Sequence, residues 1–417
     1  MRTMRGVWVT CVLLFAAGVR AQEATPTVAE RLIDVLTANG TLDTEDSVTL
    51  RLIADARRRT ARLDESVDEL VARSGGGARW TTTDERFSLR IGGRIMLRFS
   101  HEDRTPDFST RAARVRFDGH AFESWLTYRL QLNLAGDEAD TTVSGATVSS
   151  SNELAETKDA YVDAAFATSL NLRAGQFKVP YSRQAITGQA RMQFVDRSVT
   201  NQVFGRGRDV GMMLHGTGLG ERDDILEWRL GAFDGEGENR TNDDAGLLWV
   251  GRVAAHPFGA VAYRESDVGQ SDSVRLAIAA NAWVHQDDGH ANAGDDWAIG
   301  VDAALRWRGL FILGELHWRE DARAPGPDAE ALGWLVQLGW FVVPDNLELG
   351  VRTAHVDWDH NGDGDAALRE YLFVVGWFSH AHDLKVQVDF GHVEEHAGDR
   401  DDNVDGWRLR VQLQLIL

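Results

Sequence analysis

Hydrophobic and polar residues alternate with a period of two along most of this chain, from Arg86 onward. Successive side chains of a β-strand point to opposite faces, so the alternation predicts strands with one apolar and one polar face. The first segment divides into an apolar row and a basic row: Phe87, Leu89, Ile91, Ile95, Leu97 and Phe99, opposed to Arg90, Arg94 and Arg98. One face of this strand therefore suits hydrocarbon and the other suits water.

The same alternation predicts an all-β fold of sixteen antiparallel strands. They are expected at Arg86–Ser100, Arg111–Phe122, Ser124–Ala135, Thr157–Ala167, Ser169–Val179, Arg208–Thr217, Asp224–Asp234, Gly246–Phe258, Ser273–Gln286, Asp295–Trp307, Gly309–Glu320, Glu330–Val343, Asp345–Trp358, Leu368–Ser379, His382–Glu395 and Gly406–Leu417. An even number of such strands is typical of a transmembrane β-barrel from a bacterial outer membrane.

The connections between the predicted strands alternate in length. Links that follow odd-numbered strands are long and polar, among them Gly136–Glu156, Pro180–Gly207, Gly235–Ala245 and Asp359–Ala367. Most links that follow even-numbered strands are short. Long outer loops that alternate with tight periplasmic turns are the pattern of an outer-membrane barrel. Phe258–Asp272 is an exception, because it is long although a short turn is expected there.

A soluble β-sandwich is the alternative fold, because it also has alternating strands. Sandwich strands usually have about five or six residues, and the strands predicted here are longer. Several tryptophans lie near strand ends in the apolar register, where an interfacial aromatic belt would lie: Trp297, Trp307, Trp334, Trp340, Trp377 and Trp407. Both features favour the membrane barrel.

The residues that precede the strands have a different pattern. Residues 1–21 are predicted to be an export signal, because Arg2 and Arg5 precede an apolar run that ends in small residues. Residues 22–78 are predicted to form a short periplasmic helical segment with a Gly-rich linker, and residues 79–417 the barrel. One predicted helix has a coiled-coil-like seam, formed by Ile53, Ala56, Thr60, Leu63, Val67 and Leu70. Self-association and packing on the neighbouring helix are both open for this seam.

Charge and cysteine content narrow the possible functions. The formal net charge is −20, and loss of the three signal arginines takes it to −23, which disfavours nucleic-acid binding. Cys11 is the only cysteine and leaves with the signal, so no disulfide or thiol chemistry is expected. Beyond the signal, no stretch approaches the roughly 18 consecutive apolar residues of a membrane helix. Only a closed barrel would then cross a bilayer.

Four segments carry a resemblance to a known family. They are Gly175–Arg183 (GQFKVPYSR), Phe194–Ser198 (FVDRS), Gly207–Gly211 (GRDVG) and Gly231–Gly235 (GAFDG), the last followed by Asn239. In order and spacing they resemble the phosphate-selective porins O and P. The resemblance is specific around Gly175–Asn239 and extends more loosely over residues 86 to 417.

The resemblance implies a sixteen-stranded homotrimeric porin for anions, whose third outer loop folds inward and narrows the channel. In this chain that loop is Pro180–Gly207. Clustered charge along a narrow passage focuses the electric field and replaces lost hydration, so basic residues of the wall and loop are the candidate anion guides. They are Arg90, Arg94, Arg98, Arg114, Arg116, Arg129, Arg173, Lys178, Arg183, Arg191, Arg197, Arg206, Arg208 and Arg229.

The arginines also have a purely structural interpretation. The inward register holds acids as well, namely Asp118, Asp159, Asp163, Glu227 and Asp302. Pairs of Arg and Asp on neighbouring strands could brace the wall and hold the inserted loop. For any one arginine, ion guidance and bracing are both open.

One outer loop fits a calcium-binding pattern. Alternate oxygen side chains wrap Ca²⁺ and a distant Glu adds two more oxygens, and the matching residues are Asp359, Asn361, Asp363, Asp365 and Glu370. The pattern normally lies between helices, whereas here it joins two strands. Acidic outer loops also serve solubility alone, so calcium is one of two interpretations. No other cofactor is expected.

The sequence therefore predicts an outer-membrane channel for the diffusion of small anions, with phosphate or polyphosphate among them. Its expected partners are outer-membrane lipid, two further copies of the chain and a periplasmic partner for the N-terminal helices. The alternative is a structural tether with a largely closed barrel. An enzyme is not predicted, because the histidines lack a recognisable serine motif or an adjacent nucleophile.

Overall fold

The computed structural model describes residues 77–102, 105–135, 155–218, 225–242, 245–286, 295–321, 329–359, 365–397 and 404–417. The predicted signal peptide, and the predicted helical segment as far as residue 76, lie outside these residues. No described helix is both long enough and apolar enough to span a bilayer.

Within the described ranges the chain forms seventeen β-strands and two short α-helices. The strands are β1 (Ala78–Thr81), β2 (Ser88–Glu102), β3 (Thr105–His120), β4 (Leu126–Asn133), β5 (Glu156–Ala167), β6 (Leu170–Lys178), β7 (Arg208–Thr217), β8 (Leu226–Phe233), β9 (Leu248–Ala255), β10 (Arg275–His285), β11 (Asp296–Trp307), β12 (Leu310–Asp321), β13 (Ala329–Val343), β14 (Leu347–Asp359), β15 (Asp365–His380), β16 (Leu384–Ala397) and β17 (Val404–Ile416). The helices are α1 (Arg183–Ile186) and α2 (Val199–Phe204), with a 3-10 turn at Gln189–Arg191 between them.

Strands β2 to β17 form a closed antiparallel barrel. Each pairs with its neighbour in the sequence, and β17 pairs back to β2 with Leu413 opposite Leu97. These are the sixteen predicted strands, and the predicted barrel is confirmed. The remaining strand, β1, pairs with the start of β2, with Ala78 opposite Ile91, just beyond the point where β17 ends.

The two faces of the wall differ as the alternation predicts. On β11, for example, Val301 is 51% exposed on the outside while Asp302 is buried on the inside. Tryptophans are exposed on the outer face, among them Trp307, Trp334, Trp340, Trp377 and Trp407. An outer face of apolar and aromatic residues is the surface that lipid requires.

The hairpin of β2 and β3 extends further than the sequence predicts. Residues 105–110 pair with the end of β2, although they were expected to be a loop. The register shifts between Met96 and Leu97, which face Ala112 and Thr110 respectively, so that Arg111 is an extra residue. A bulge of this kind breaks the period of two, so the sequence pattern stops there while the pairing continues.

Candidate functional site: the barrel lumen

Two segments of chain fold into the barrel. One is residues 180–207, between β6 and β7, which we call the inserted loop. The other is residues 256–272, between β9 and β10, which we call the inserted turn. Many residues of both segments are buried although neither is part of the wall. The inserted turn includes the unusually long link that the sequence shows at Phe258–Asp272.

The inserted loop starts with a tight structure near the wall strands β10 and β12. Ser182 has a positive φ of 63°, and its hydroxyl caps α1 by accepting a hydrogen bond from the Ala185 amide. The same hydroxyl donates to Glu315 of β12 at 2.7 Å. Lys178 donates to three carbonyl oxygens at the end of α1, at 2.7 to 3.1 Å. The side chains around α1 thus satisfy backbone groups that a four-residue helix leaves without partners.

Asp196 attaches the middle of the loop to the opposite wall. Its carboxylate pairs with Arg98 of β2 at 2.7 Å and with Arg410 of β17 at 3.1 Å, and Arg111 lies 3.7 Å away. Arg352 of β14 donates to the Asp196 backbone carbonyl. Burial alone would raise the pKa of the Asp196 carboxyl, but the three guanidinium groups outweigh it and hold the pKa well below its usual range.

Apolar contacts hold the rest of the loop against β12 to β15. Val199 and Phe204 of α2 pack in a buried cluster with inward residues of the wall, among them Phe311, Leu313, Leu335, Val356 and Leu368. The lumen is therefore not uniformly polar. Inward apolar residues on these strands mark the part of the wall that the loop covers, and burying them stabilises the loop in this position.

Polar side chains of β16 and β17 complete the attachment. Lys385 and Gln387 donate to the carbonyl oxygen of Met192, at 2.7 and 3.2 Å, and Gln414 donates to that of Ala190 at 3.0 Å. The alternation predicts that these wall residues face inward. It contains no signal for the backbone they meet, because that backbone is nearly two hundred residues or more away in sequence.

The opposite side of the lumen is less covered. On β10 to β17 most inward side chains are buried, whereas most of those on β3 to β8 are only half-buried. The open space of the lumen therefore lies along β3 to β8. We call this part of the wall the open wall.

Arginines and acids form ion pairs along the open wall and the adjacent β2. Asp118 pairs with two arginines, Arg90 at 2.7 Å and Arg116 at 2.6 Å. The other pairs join one arginine to one acid, at 2.5 to 2.9 Å: Arg173 with Asp163, Arg208 with Asp159, and Arg229 with Glu227. The guanidinium group of Arg129 lies 5.7 Å from the ring centre of Tyr161. Basic groups therefore exceed acids in these contacts.

The predicted anion guides fall into two groups. Those that are half-buried in the lumen are Arg90, Arg94, Arg116, Arg129, Arg173, Arg191, Arg197, Arg206, Arg208 and Arg229. Three of the others, Arg98, Arg114 and Arg183, are buried, and Lys178 is enclosed by three carbonyl groups of the inserted loop. Arg197 of the first group also donates to two carbonyl oxygens of this loop. The two groups thus differ in exposure, and ion guidance by the half-buried residues stays a prediction.

Glu370 does not lie where the predicted calcium loop requires it. Asp359 and Asp365 face each other at the end of the hairpin of β14 and β15, and Glu370 lies five residues further along β15, about 17 Å away at a strand's rise per residue. Its carboxylate is buried in the lumen and accepts a 2.6 Å hydrogen bond from Arg352. The structure therefore does not bring Glu370 together with Asp359 and Asp365. Asn361 and Asp363 lie outside the described residues.

Several residues that organise the lumen were missed by the sequence. Asp196 lies in the FVDRS segment, and its presence in that segment was the only sequence signal of its importance. Glu265 and Glu315 carry no motif, and their role as acceptors for the inserted segments depends on contacts across the barrel. In the described ranges, no group of three or more His, Asp or Glu side chains is arranged to hold a metal ion.

A closed sixteen-stranded barrel with an apolar outside, a charged lumen and a loop inserted in it defines an outer-membrane porin. The chain belongs to the family of phosphate-selective porins O and P, whose sequence model matches residues 92–417. Members of this family are channels and not enzymes, and the outer membrane is their location.

Solved structures of other porins share the fold. The anion-selective porin from Comamonas acidovorans is 13% identical, with a TM-score of 0.55 over 79% of this chain and 100% of that one. OmpT of Vibrio cholerae is 11% identical, with a TM-score of 0.53 over 80% and 98%. The outer membrane channel DcaP of Acinetobacter baumannii is 9% identical, with a TM-score of 0.52 over 81% and 99%. Curated proteins gave no match.

Proposed function

We propose that this porin is a water-filled channel for the passive diffusion of small anions. The observation that supports this most is the excess of arginine over acid in the ion pairs of the open wall and the adjacent β2, where a single carboxylate, Asp118, pairs with both Arg90 and Arg116. A passage with a net positive lining lowers the energy of an anion inside it and raises that of a cation. The strongly acidic chain as a whole does not oppose this, because permeant ions respond mainly to the charges nearest the passage.

Oxyanions of the phosphate class are the permeants that we favour. The planar guanidinium group of arginine can bind two oxygens of a phosphate at once. The open wall offers several such groups, on β3, β4, β6 and β7: Arg116, Arg129, Arg173 and Arg208. The family is described as phosphate-selective, and one structural neighbour is described as anion-selective. We expect the functional unit to be a trimer, as the family resemblance implies.

Reconstitution in planar lipid bilayers tests the proposal. Under a potassium chloride gradient, the reversal potential should have the sign of anion preference, and added phosphate should reduce the chloride current if it binds in the lumen. Neutralising the open wall with Arg116→Gln and Arg129→Gln should move the reversal potential toward zero. Arg369→Gln is the matched control, because Arg369 is exposed and pairs with Glu394 away from the lumen.

Each possible result has a definite meaning. A wild-type reversal potential of the cation-selective sign would reject anion preference. A chloride current that phosphate leaves unchanged would reject a phosphate site while leaving anion diffusion in place. A folded protein without measurable conductance would reject the channel and favour the structural tether.

A further inference from the structure

The inserted turn meets the inserted loop inside the barrel, although the two enter from opposite ends. Arg183 of the loop donates to two carbonyl oxygens of the turn, Val261 at 3.1 Å and Ala262 at 2.7 Å. Its guanidinium group lies 4.7 Å from the ring centre of Tyr263. Arg183 is 1% exposed, so these contacts bury its charge and fix its position. We call this contact and the one through Glu265 the clasp.

Glu265 forms the second half of the clasp. Its backbone amide donates to the carbonyl of Arg191 at 2.7 Å, and its carboxylate accepts from the Gln193 amide at 2.9 Å. The same carboxylate accepts from the side chain of Gln337 on β13 at 2.8 Å. Loop, turn and wall therefore share one buried carboxylate, and loss of these hydrogen bonds would leave it buried without partners.

The far end of the turn is fixed to the short hairpins at the periplasmic end of the barrel. Asp267 accepts a hydrogen bond from the Gly309 amide at 2.8 Å, and the Gly269 amide donates to Asp345 at 2.9 Å. Ser266 donates to Glu348 of β14 at 2.7 Å. The turn is thus attached both to the inserted loop and to the hairpins of the wall, and it links the two.

Tyr263 extends from the turn to the open wall. Its hydroxyl donates to Glu227 of β8 at 2.6 Å, and its ring centre lies 4.9 Å from the guanidinium group of Arg229. Glu227 and Arg229 form one of the ion pairs of the open wall. The ring therefore occupies the space between the turn and the part of the wall along which we propose that anions pass.

A turn of this length is not needed to connect the strands. β9 and β10 are paired neighbours, with Ala255 opposite Ile278, and antiparallel neighbours can be joined by about two to five residues. Ordering the extra residues costs backbone conformational entropy. The buried contacts of the clasp offset that cost, which points to a role for the turn inside the lumen.

We infer that the inserted turn is a second constriction element of this channel. It holds the inserted loop in place through the clasp. The buried ring of Tyr263 closes the gap between the turn and β8, and in this way narrows the passage from the periplasmic side. The inference rests on the proposed channel function and adds to it a residue that sets the width of the passage.

Single-channel recording on the full-length purified protein tests this inference. Tyr263→Ala removes the ring, and we expect the conductance in potassium chloride to rise by roughly half or more, since flow through a narrow passage depends on its width. Tyr263→Phe keeps the ring and loses only the hydroxyl, so it should stay near the wild type. Tyr371→Ala is the control, because Tyr371 is 50% exposed on the outer face.

A second set of variants addresses the clasp. Glu265→Gln, or replacement of residues 259–271 by a short Gly-Ser turn, should release the loop and produce rapid fluctuations between current levels. Circular dichroism and the heat-dependent mobility of the barrel on gels would establish that each variant is folded. A purely structural role would lower thermal stability without changing conductance or its fluctuations.

The results separate the inference from the function on which it rests. If the wild type conducts and folded Tyr263→Ala and turn-replacement variants conduct identically to it, the second constriction is rejected and the channel stands. If the folded wild type does not conduct, the channel itself is rejected. An increase in conductance with Tyr263→Ala, absent from Tyr263→Phe and Tyr371→Ala, would support the inference.

Discussion

At the scale of single residues, the inserted loop depends on a few buried and half-buried charges. Asp196 is the clearest case, because arginines from two different strands, β2 and β17, approach one carboxylate. Removing one partner of a buried ion pair leaves the other charge without compensation, which costs more than the pair contributes when intact. The position of the loop is therefore sensitive to this carboxylate.

Asp196→Asn should destabilise the attachment of the loop. We expect the free energy of unfolding to fall by an amount near the lower end of about 3–5 kcal/mol, because the Asp196 side chain is 24% exposed. Thermal unfolding in detergent measures the stability of the protein, and single-channel current noise measures how firmly the loop is held. Asp357→Asn is the control, since that side chain is 53% exposed and pairs with His355. Equal effects of the two variants would contradict the anchoring role.

The lowered pKa of Asp196 also fixes how the attachment responds to acid. A carboxyl whose pKa is depressed by folding contributes stability that is fully present above its unfolded pKa of about 3.9. That contribution declines as the pH falls below the unfolded value and is gone below the lowered folded value. Mild acid should therefore leave this anchor of the loop intact.

At the scale of elements, each strand has to satisfy lipid on one side and the lumen on the other. The register of β11 shows this within two residues, because Val301 faces outward and Asp302 pairs with the buried Arg252 at 2.5 Å. A shift of one residue would place the ion pair in lipid and the valine in the lumen. The cost of that exchange fixes the register of the wall.

Val301→Arg tests this requirement at the middle of a strand. A charged residue on the lipid face near the bilayer midplane costs about 2–4 kcal/mol, so folding into lipid vesicles should be weaker by that amount. Ser273→Arg supplies the comparison, because Ser273 is exposed in the connection before β10. Urea titration of both variants in vesicles gives the difference. An unchanged midpoint for Val301→Arg would mean that this face does not contact lipid.

At the scale of the whole molecule, the lumen is divided into a filled side and an open side. Segments from both ends of the barrel occupy the side next to β10 to β17, and the arginine-bearing strands β3 to β8 border the rest. This division supports a narrow passage, and a complete filling would support the tether. The N-terminal segment also helps to decide between the channel and the tether, because the tether would use this segment to bind its partner.

Deletion of residues 24–76 separates these two functions. The deletion stops before β1, which pairs with β2, so the barrel should fold. A diffusion channel should keep its conductance and its oligomeric mass in detergent, since no described lumen residue belongs to the deleted part. The tether would be favoured if the shortened protein lost envelope anchoring and neither the full-length nor the shortened protein conducted. Loss of conductance only in the shortened protein would show that the segment is needed for assembly.

The sequence by itself determined the wall of this protein. A strand has a period of two, and hydrocarbon and water impose opposite demands on its faces, so the alternation from Arg86 onward marks the strands and their inward residues. The GQFKVPYSR and FVDRS segments indicated the family, and the family resemblance predicted the inserted loop. The bulge at Arg111 escaped the pattern, because one extra residue reverses the alternation locally.

Only the tertiary structure decided what occupies the lumen. Arg98 and Asp196 are 98 residues apart in sequence, and Arg410 and Asp196 are 214 apart, so no local period records their contact. The same holds for Arg183, a predicted anion guide that the inserted turn buries. Periodicity reports which face a residue takes, whereas the partner it meets there depends on closing the barrel and folding both segments into it.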